Sequence, residues 1–158
     1  VRRRALLAAP LLLAACGDRI TVSETIETAP LPRPLTPALI VPGVMLPAAL
    51  ADRDAREVEA RAALARAIGD RPIAEPAADG ALAAEARARG LGRVVLLTVV
   101  QAAPEGALIA PGTTVAIRVR AIDARTGVTE GFVTLSRRNG AQGGVGPEIE
   151  ALARDILR

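Results

Sequence analysis

Few side chains in this 158-residue chain have the chemistry of an active site. There is no His, Lys, Trp or Tyr, and the only Cys is at position 16. Without imidazole there is no Ser-His-Asp triad, no Cys-His pair and no imidazole metal ligand. Without Lys there is no Walker-type lysine and no Schiff base. Four constellations remain. Cys16 ends the string Leu13-Ala14-Ala15-Cys16. Asp52, Asp54, Glu57 and Glu59 form a local acidic cluster, of the kind that does acid–base work or holds a hard cation. Arg53, Arg56 and Arg61 are interleaved with it, which is equally the pattern of a solvated, salt-bridged helix face. The segment Asn139 to Gly146 (NGAQGGVG) precedes a helix and could offer amides to a phosphate. Pro147 removes a donor there, Glu148 repels anions and no lysine follows, so a flexible loop is expected. Lastly, Arg118 and Arg120 share a strand face, with Arg137 and Arg138 just beyond the next strand. These four form a candidate partner-binding basic patch for phospholipid headgroups, peptidoglycan carboxylates or an acidic partner, or else they protect an exposed sheet face. No catalytic residue, metal ligand or cofactor-binding residue is assigned, no cofactor is expected, and the chain is expected not to be an enzyme.

The elements that position these groups are legible from periodicity. Asp52 is placed to cap a helix over about 53–68, with Val58, Ala62, Ala65 and Ile68 on one face and Gly69 as its stop. A short extended piece around Ile73 follows, and then a helix over 80–89 capped by Asp79, with Leu82, Ala83 and Ala86 as its apolar stripe. Residues 93–101 (RVVLLTVVQ) have strand composition without alternation, as expected when both faces are covered. Residues 113–123 do alternate: Val115, Ile117, Val119 and Ala121 on one side, Arg118 and Arg120 on the other. A turn over 123–127 leads to a third strand over 128–136, and a last helix over 147–157 buries Ile149, Leu152, Ala153 and Ile156. The expected fold is α/β (α+β), with a small, mostly antiparallel sheet, a three-stranded meander and about three helices. The strand-to-strand segment from Ala102 to Gly112 carries two prolines and reads as a loop, too irregular to supply the long inserted hairpin of a secretion channel.

The N-terminus reads as an address. Arg2, Arg3 and Arg4 form a positive region, Ala5 to Leu13 an apolar stretch, and Ala14-Ala15 a small-residue approach to Cys16. The apolar stretch is too short to cross the roughly 30 Å hydrocarbon core as a helix, and the pattern is that of a secretory signal. The Leu-Ala-Ala-Cys string resembles the lipobox of bacterial lipoproteins. That resemblance implies cleavage before Cys16, palmitate-type acylation of Cys16 and a membrane anchor facing the periplasm. Gly17, not Asp, follows the cysteine, which in the resembled class favours the outer membrane over the inner. Six prolines lie between Pro30 and Pro47, so residues 16–47 are expected to form a Pro-rich tether and residues 48–158 the compact domain, after a signal peptide over 1–15. Ile20 to Ile26 is an optional extra strand, and Ala38 to Met45 (ALIVPGVM) an irregular edge strand.

Within the domain, Ala88, Leu91 and Gly92 precede one strand, and Asp123, Thr126 and Gly127 turn another into its partner. These motifs are similar to those of periplasmic lipoproteins of the curli-assembly and TolB-amino-terminal type. That resemblance spans about 51–158. It implies a cell-envelope assembly or accessory protein that works through protein contacts, with an envelope protein or a further copy of itself as partner. The second reading is a binding module for an anionic envelope component such as peptidoglycan or lipid headgroups. Charge fits neither nucleic acid nor a generic polyanion. The precursor is +3, but without Arg2, Arg3 and Arg4 the chain has 17 arginines against 17 acidic residues, and it has no Trp or Tyr to stack on bases. The anchor is directly testable: Cys16→Ser is expected to lose palmitate labelling, accumulate uncleaved and leave the membrane fraction, because two or three acyl chains at ~0.8 kcal/mol per buried CH₂ hold it there.

Overall fold

Val94 to Leu97 present aliphatic side chains to both sides of one strand, so that strand needs cover on two faces. The computed structural model, which describes residues 21–107, 110–139 and 144–158, supplies both covers. The leader, Cys16 and the loop residues Gly140 and Gly143 lie outside the described residues. Five strands, β1 (Thr21–Ala29), β2 (Leu39–Val44), β3 (Arg93–Ala107), β4 (Ala110–Asp123) and β5 (Thr129–Asn139), form one sheet in the order β1-β5-β4-β3-β2. β3, β4 and β5 are the expected meander, β1 adds antiparallel to β5, and β2 adds parallel to β3. Three helices, α1 (Arg53–Ile68), α2 (Asp79–Ala88) and α3 (Val145–Ile156), complete the α+β fold.

The register sorts the core. Val95, Leu97 and Val99 of β3 lie opposite Ala121, Val119 and Ile117 of β4, and this face packs against α1 and α3 through Leu64, Ile68, Ile149 and Ile156. Val94 pairs with Ile122 on the other face and packs with Leu39, Val41, Leu82 and Ala86, so α2 covers one end of it. The buried face of α1 differs from the stripe read in the sequence. Ala60, Ala63, Leu64, Ala67 and Ile68 are buried, whereas Val58 is 69% exposed. The helix must approach both the sheet and α3, and its small alanines permit that closeness where valine would hold the elements apart. The two expected side-chain caps are also absent. Asp52 sits in the left-handed region (φ 54) with no side-chain cap bond, and Asp79 is the first helical residue after Ala78.

Two further expectations are corrected. The proline-rich segment is not a tether past residue 30. Leu35, Ala38, Leu39, Ile40, Val41 and Leu46 are core residues, and Arg33 and Arg93 fasten the segment by donating to the carbonyls of Ile156 (3.1 Å) and Pro34 (2.6 Å). A Cβ at Gly131 would stand 2.5 Å from the Pro30 carbonyl oxygen, so β5 admits the segment only because residue 131 has no side chain. Residues 102–107 and 110–112 of the segment read as a loop instead continue β3 and β4, with Pro104 opposite Thr113 and Pro111 opposite Gly106. Proline is compatible with a strand wherever its nitrogen would have faced away from the ladder. Beyond the Pro104–Thr113 pair the register has three further pairs. Leu35→Ala separates body from tether: it is expected to cost about 2–5 kcal/mol in urea unfolding, whereas a tether residue would cost nothing measurable.

Candidate functional site

The arginine patch does not form as a single cluster. Arg118, Arg120 and Arg138 point to the sheet face shared with α2, while Arg137, opposite Val115, points to the face covered by α1 and α3. There Arg137 pairs with Asp155 of α3 at 2.7 Å. Adjacent strand residues project to opposite faces, so a consecutive Arg-Arg pair cannot serve one surface. Arg138 lies opposite Thr114, four residues along β4 from Arg118, or about 13 Å at 3.3 Å per residue. Arg120 is committed: its guanidinium makes a bidentate pair with the Asp79 carboxylate, 2.7 and 2.8 Å, tying the start of α2 to the centre of β4. This pairing also explains why Asp79 does not cap its own helix.

Arg118 is the exception. Its strand neighbours are Thr98 on β3 and Thr134 on β5, and its guanidinium carbon stands 5.8 Å from the Phe132 ring centroid. Its Nε is buried without a hydrogen-bond acceptor. A guanidinium over an aromatic face keeps its outward donors, so Arg118, unlike Arg120 and Arg137, is held by a ring and not by a carboxylate among the described residues.

The other candidates are structural. Arg53 pairs with Glu57 and Arg56 with Glu59, so the acidic cluster is the salt-bridged helix face. Glu59 also accepts the Gly146 amide at 2.8 Å, placing a carboxylate where the glycine-rich segment would have offered its first helical amides to an anion. Among the described residues, no group of three or more His, Cys, Asp or Glu is placed to hold a metal ion. Asp123 closes the β4–β5 turn by accepting from the Thr126 amide (2.7 Å) and hydroxyl (3.0 Å), with Gly127 at φ 71.

Sequence reasoning missed a cleft of about 410 Å³ along the outer edge of β2. Pro42, Gly43 and Val44 form one wall; Arg61, Leu64, Ala65 and Ile68 of α1 form the other; and Ile73, Glu75 and Pro76 close the end. Among the described residues, Ile73 (54% exposed) lines the cleft, and the exposed Met45 (56%) and Val58 (69%) flank its lining residues in sequence. Val58 lies one turn before Arg61 on the same helix side. The signal was present in the sequence: the apolar stripe of α1 is wider than the core requires, and its surplus part, Val58 and Ala65, faces the cleft side.

No family model matches the chain, and no curated protein matches it in sequence. Solved structures do match in fold. The PelC dodecamer from Paraburkholderia phytofirmans superposes with a TM-score of 0.54 at 16% identity, over 86% of this chain and 95% of that one. A point variant of the same dodecamer gives 0.55 at 16% identity, over 86% and 96%. A lipoprotein from Neisseria meningitidis matches more loosely, with a TM-score of 0.42 at 16% identity, over 76% and 98%. Identity this low speaks for the fold and for nothing more specific.

Two carboxyl groups are more acidic in the fold than outside it. The Thr126 amide, aided by its hydroxyl, lowers Asp123, and the Arg66 guanidinium lowers Glu150. Their contribution is therefore complete above the unfolded carboxylate values and fades as pH falls through the depressed folded ones. Urea midpoints are expected to drop below about pH 4, and Asp123→Asn should flatten that slope while lowering the midpoint at pH 7.

Proposed function

We propose that this chain is a non-enzymatic, lipid-anchored lipoprotein of the cell envelope whose folded body acts as an assembly or accessory factor, docking onto a partner protein or onto copies of itself. The observation that carries the reading is how the side chains are used. Arg120, Arg137, Glu59 and Asp123 are engaged in holding elements together, while a largely apolar cleft and an open strand edge are left on the surface. Cys16 is the acylation site and faces the periplasm in this reading, with the outer membrane preferred because Gly17 follows it. No helix among the described residues is long and apolar enough to cross a membrane. The PelC chains of similar fold are dodecamers, which supports self-association as one form of docking.

Arg118 supports a second reading, a module for an anionic envelope component such as peptidoglycan or lipid headgroups. It lies between Thr98 and Thr134 in the sheet register, with its guanidinium over the Phe132 ring and no carboxylate paired to it among the described residues. Crosslinking in intact envelopes followed by affinity capture separates the two. Docking predicts discrete protein adducts that survive Arg118→Ala. The binding module predicts co-sedimentation with peptidoglycan or anionic vesicles that falls at least tenfold in Arg118→Ala, and no discrete adducts.

A further inference from the structure

The outer edge of β2 is half used. Ile40 donates to the Pro72 carbonyl (2.8 Å) and accepts from the Ala74 amide (3.0 Å), so the chain's own extended residues already add to the first half of that edge. Backbone groups alternate along a strand, so those of Met45, whose amide donates to Val99 of β3 (2.9 Å), turn inward while those of Val44 turn outward. The Pro42 carbonyl and the Val44 amide and carbonyl therefore face the cleft, and none has a hydrogen-bond partner among the described residues. Two acceptors and one donor at strand spacing, beside an apolar cleft with Ile73 exposed at its end, match an extended peptide backbone with aliphatic side chains. Arg61 and Glu75 add one charge of each sign to the lining, so no net charge there selects a free phosphate.

We infer that the occupant is β1 of a second copy of this chain, paired antiparallel to β2 so that the sheet runs on from one copy to the next. This rests on the lipid-anchored, self-docking reading above. β1 is the sheet's other open edge, paired on one side only, and its nine residues, TVSETIETA, carry no proline to block a ladder. The register shows that β1 runs antiparallel to β2, so a neighbour in the same orientation meets β2 antiparallel. A chain cannot close on itself, because its two edges stand four strand spacings apart, about 19 Å. Its own residues 16–20 cannot reach either. Thr21 lies in the row of Asn139, Thr113 and Pro104, well along the sheet from the Val44–Val99 pair, and five residues span at most about 18 Å.

The anchor selects this arrangement over a two-fold one. Pairing β2 with β2 antiparallel reverses the strand direction and sends the two Thr21 ends to opposite sides. Head-to-tail pairing of β1 on β2 keeps every Thr21 end, and so every acylated cysteine, on one side, as a single membrane surface demands. A heterologous contact of this kind closes into a ring when its rotation permits.

Disulfide trapping in the full-length chain, expressed in a bacterial envelope, tests the inference. Met45→Cys combined with Ser23→Cys or Thr25→Cys, oxidised mildly and run without reductant, is expected to give a ladder of covalent multimers. Each single variant should stay monomeric. Adding Ile73→Glu, at an exposed position, should abolish the ladder, and Val44→Pro, which removes the outward amide as Pro42 already does, should weaken it several-fold. Dimers from Met45→Cys alone would overturn the arrangement in favour of two-fold pairing, and monomers from every combination would overturn it outright. Membrane fractionation of the same samples keeps the two claims apart. Monomers that remain membrane-bound contradict the edge pairing and leave the anchor standing, whereas a ladder from soluble protein supports the pairing and contradicts the anchor.

Discussion

Val94 to Leu97 put aliphatic side chains on both faces of β3, and much of the architecture answers that constraint. One face needs two helices, α1 and α3, packed closely enough for Ala60, Ala63, Ala67 and Ala153 to share a core with Leu64 and Ile149. The other needs α2 over Leu39, Val94 and Ile122. β2 shields the flank of β3 and supplies residues to both cores, Ile40 to one and Leu39 and Val41 to the other. With one Phe and no Trp or Tyr, the protein fills this space with many medium aliphatics, each contributing about 1.5–3 kcal/mol on burial before chain entropy is subtracted. Residues outside the obvious domain are therefore recruited, which is why Leu35 and Ala38 are buried.

Arginine does the work that aromatic residues and lysines do elsewhere. Arg33, Arg71, Arg87, Arg89 and Arg93 each donate to backbone carbonyls at the ends or borders of elements. Arg120 and Arg137 tie α2 and α3 to the sheet through carboxylates. A guanidinium presents several donors in a fixed fork, and it satisfies carbonyls at helix ends and strand borders that no side-chain cap reaches. Most of the arginines with partners in the described structure fasten one element to another. These pairs are partly exposed, so each contributes modestly. Their value lies in fixing where elements sit.

Much of this was legible. The three helices, the meander, the 123–127 turn and the buried faces of α2 and α3 follow from periodicity, and Asp123, Thr126 and Gly127 act as their types imply. What failed did so for identifiable reasons. The sequence cannot show that Pro30–Pro47 finds a surface to pack on, because the accommodating feature is a missing side chain at Gly131, a hundred residues away. It cannot distinguish Val58 from Ala60, because the stripe of α1 serves a core and a cleft at once. Arg137 and Arg138 looked like one patch because adjacency in sequence is easy to see and the face a strand residue points to depends on register. The cleft was only half legible: the surplus of the α1 stripe hinted at it, but the outward backbone groups of β2 that border it are ones every residue possesses.

The central claim is that this fold is a docking body that meets its own kind along open strand edges while its acylated terminus stays on one side. Native mass measurement of the acylated chain, extracted from membranes in mild detergent, tests it most directly. The account predicts one discrete assembly whose mass is a whole-number multiple of the acylated chain. A single-chain mass at every protein concentration, from a sample that still carries its acyl groups, would contradict it.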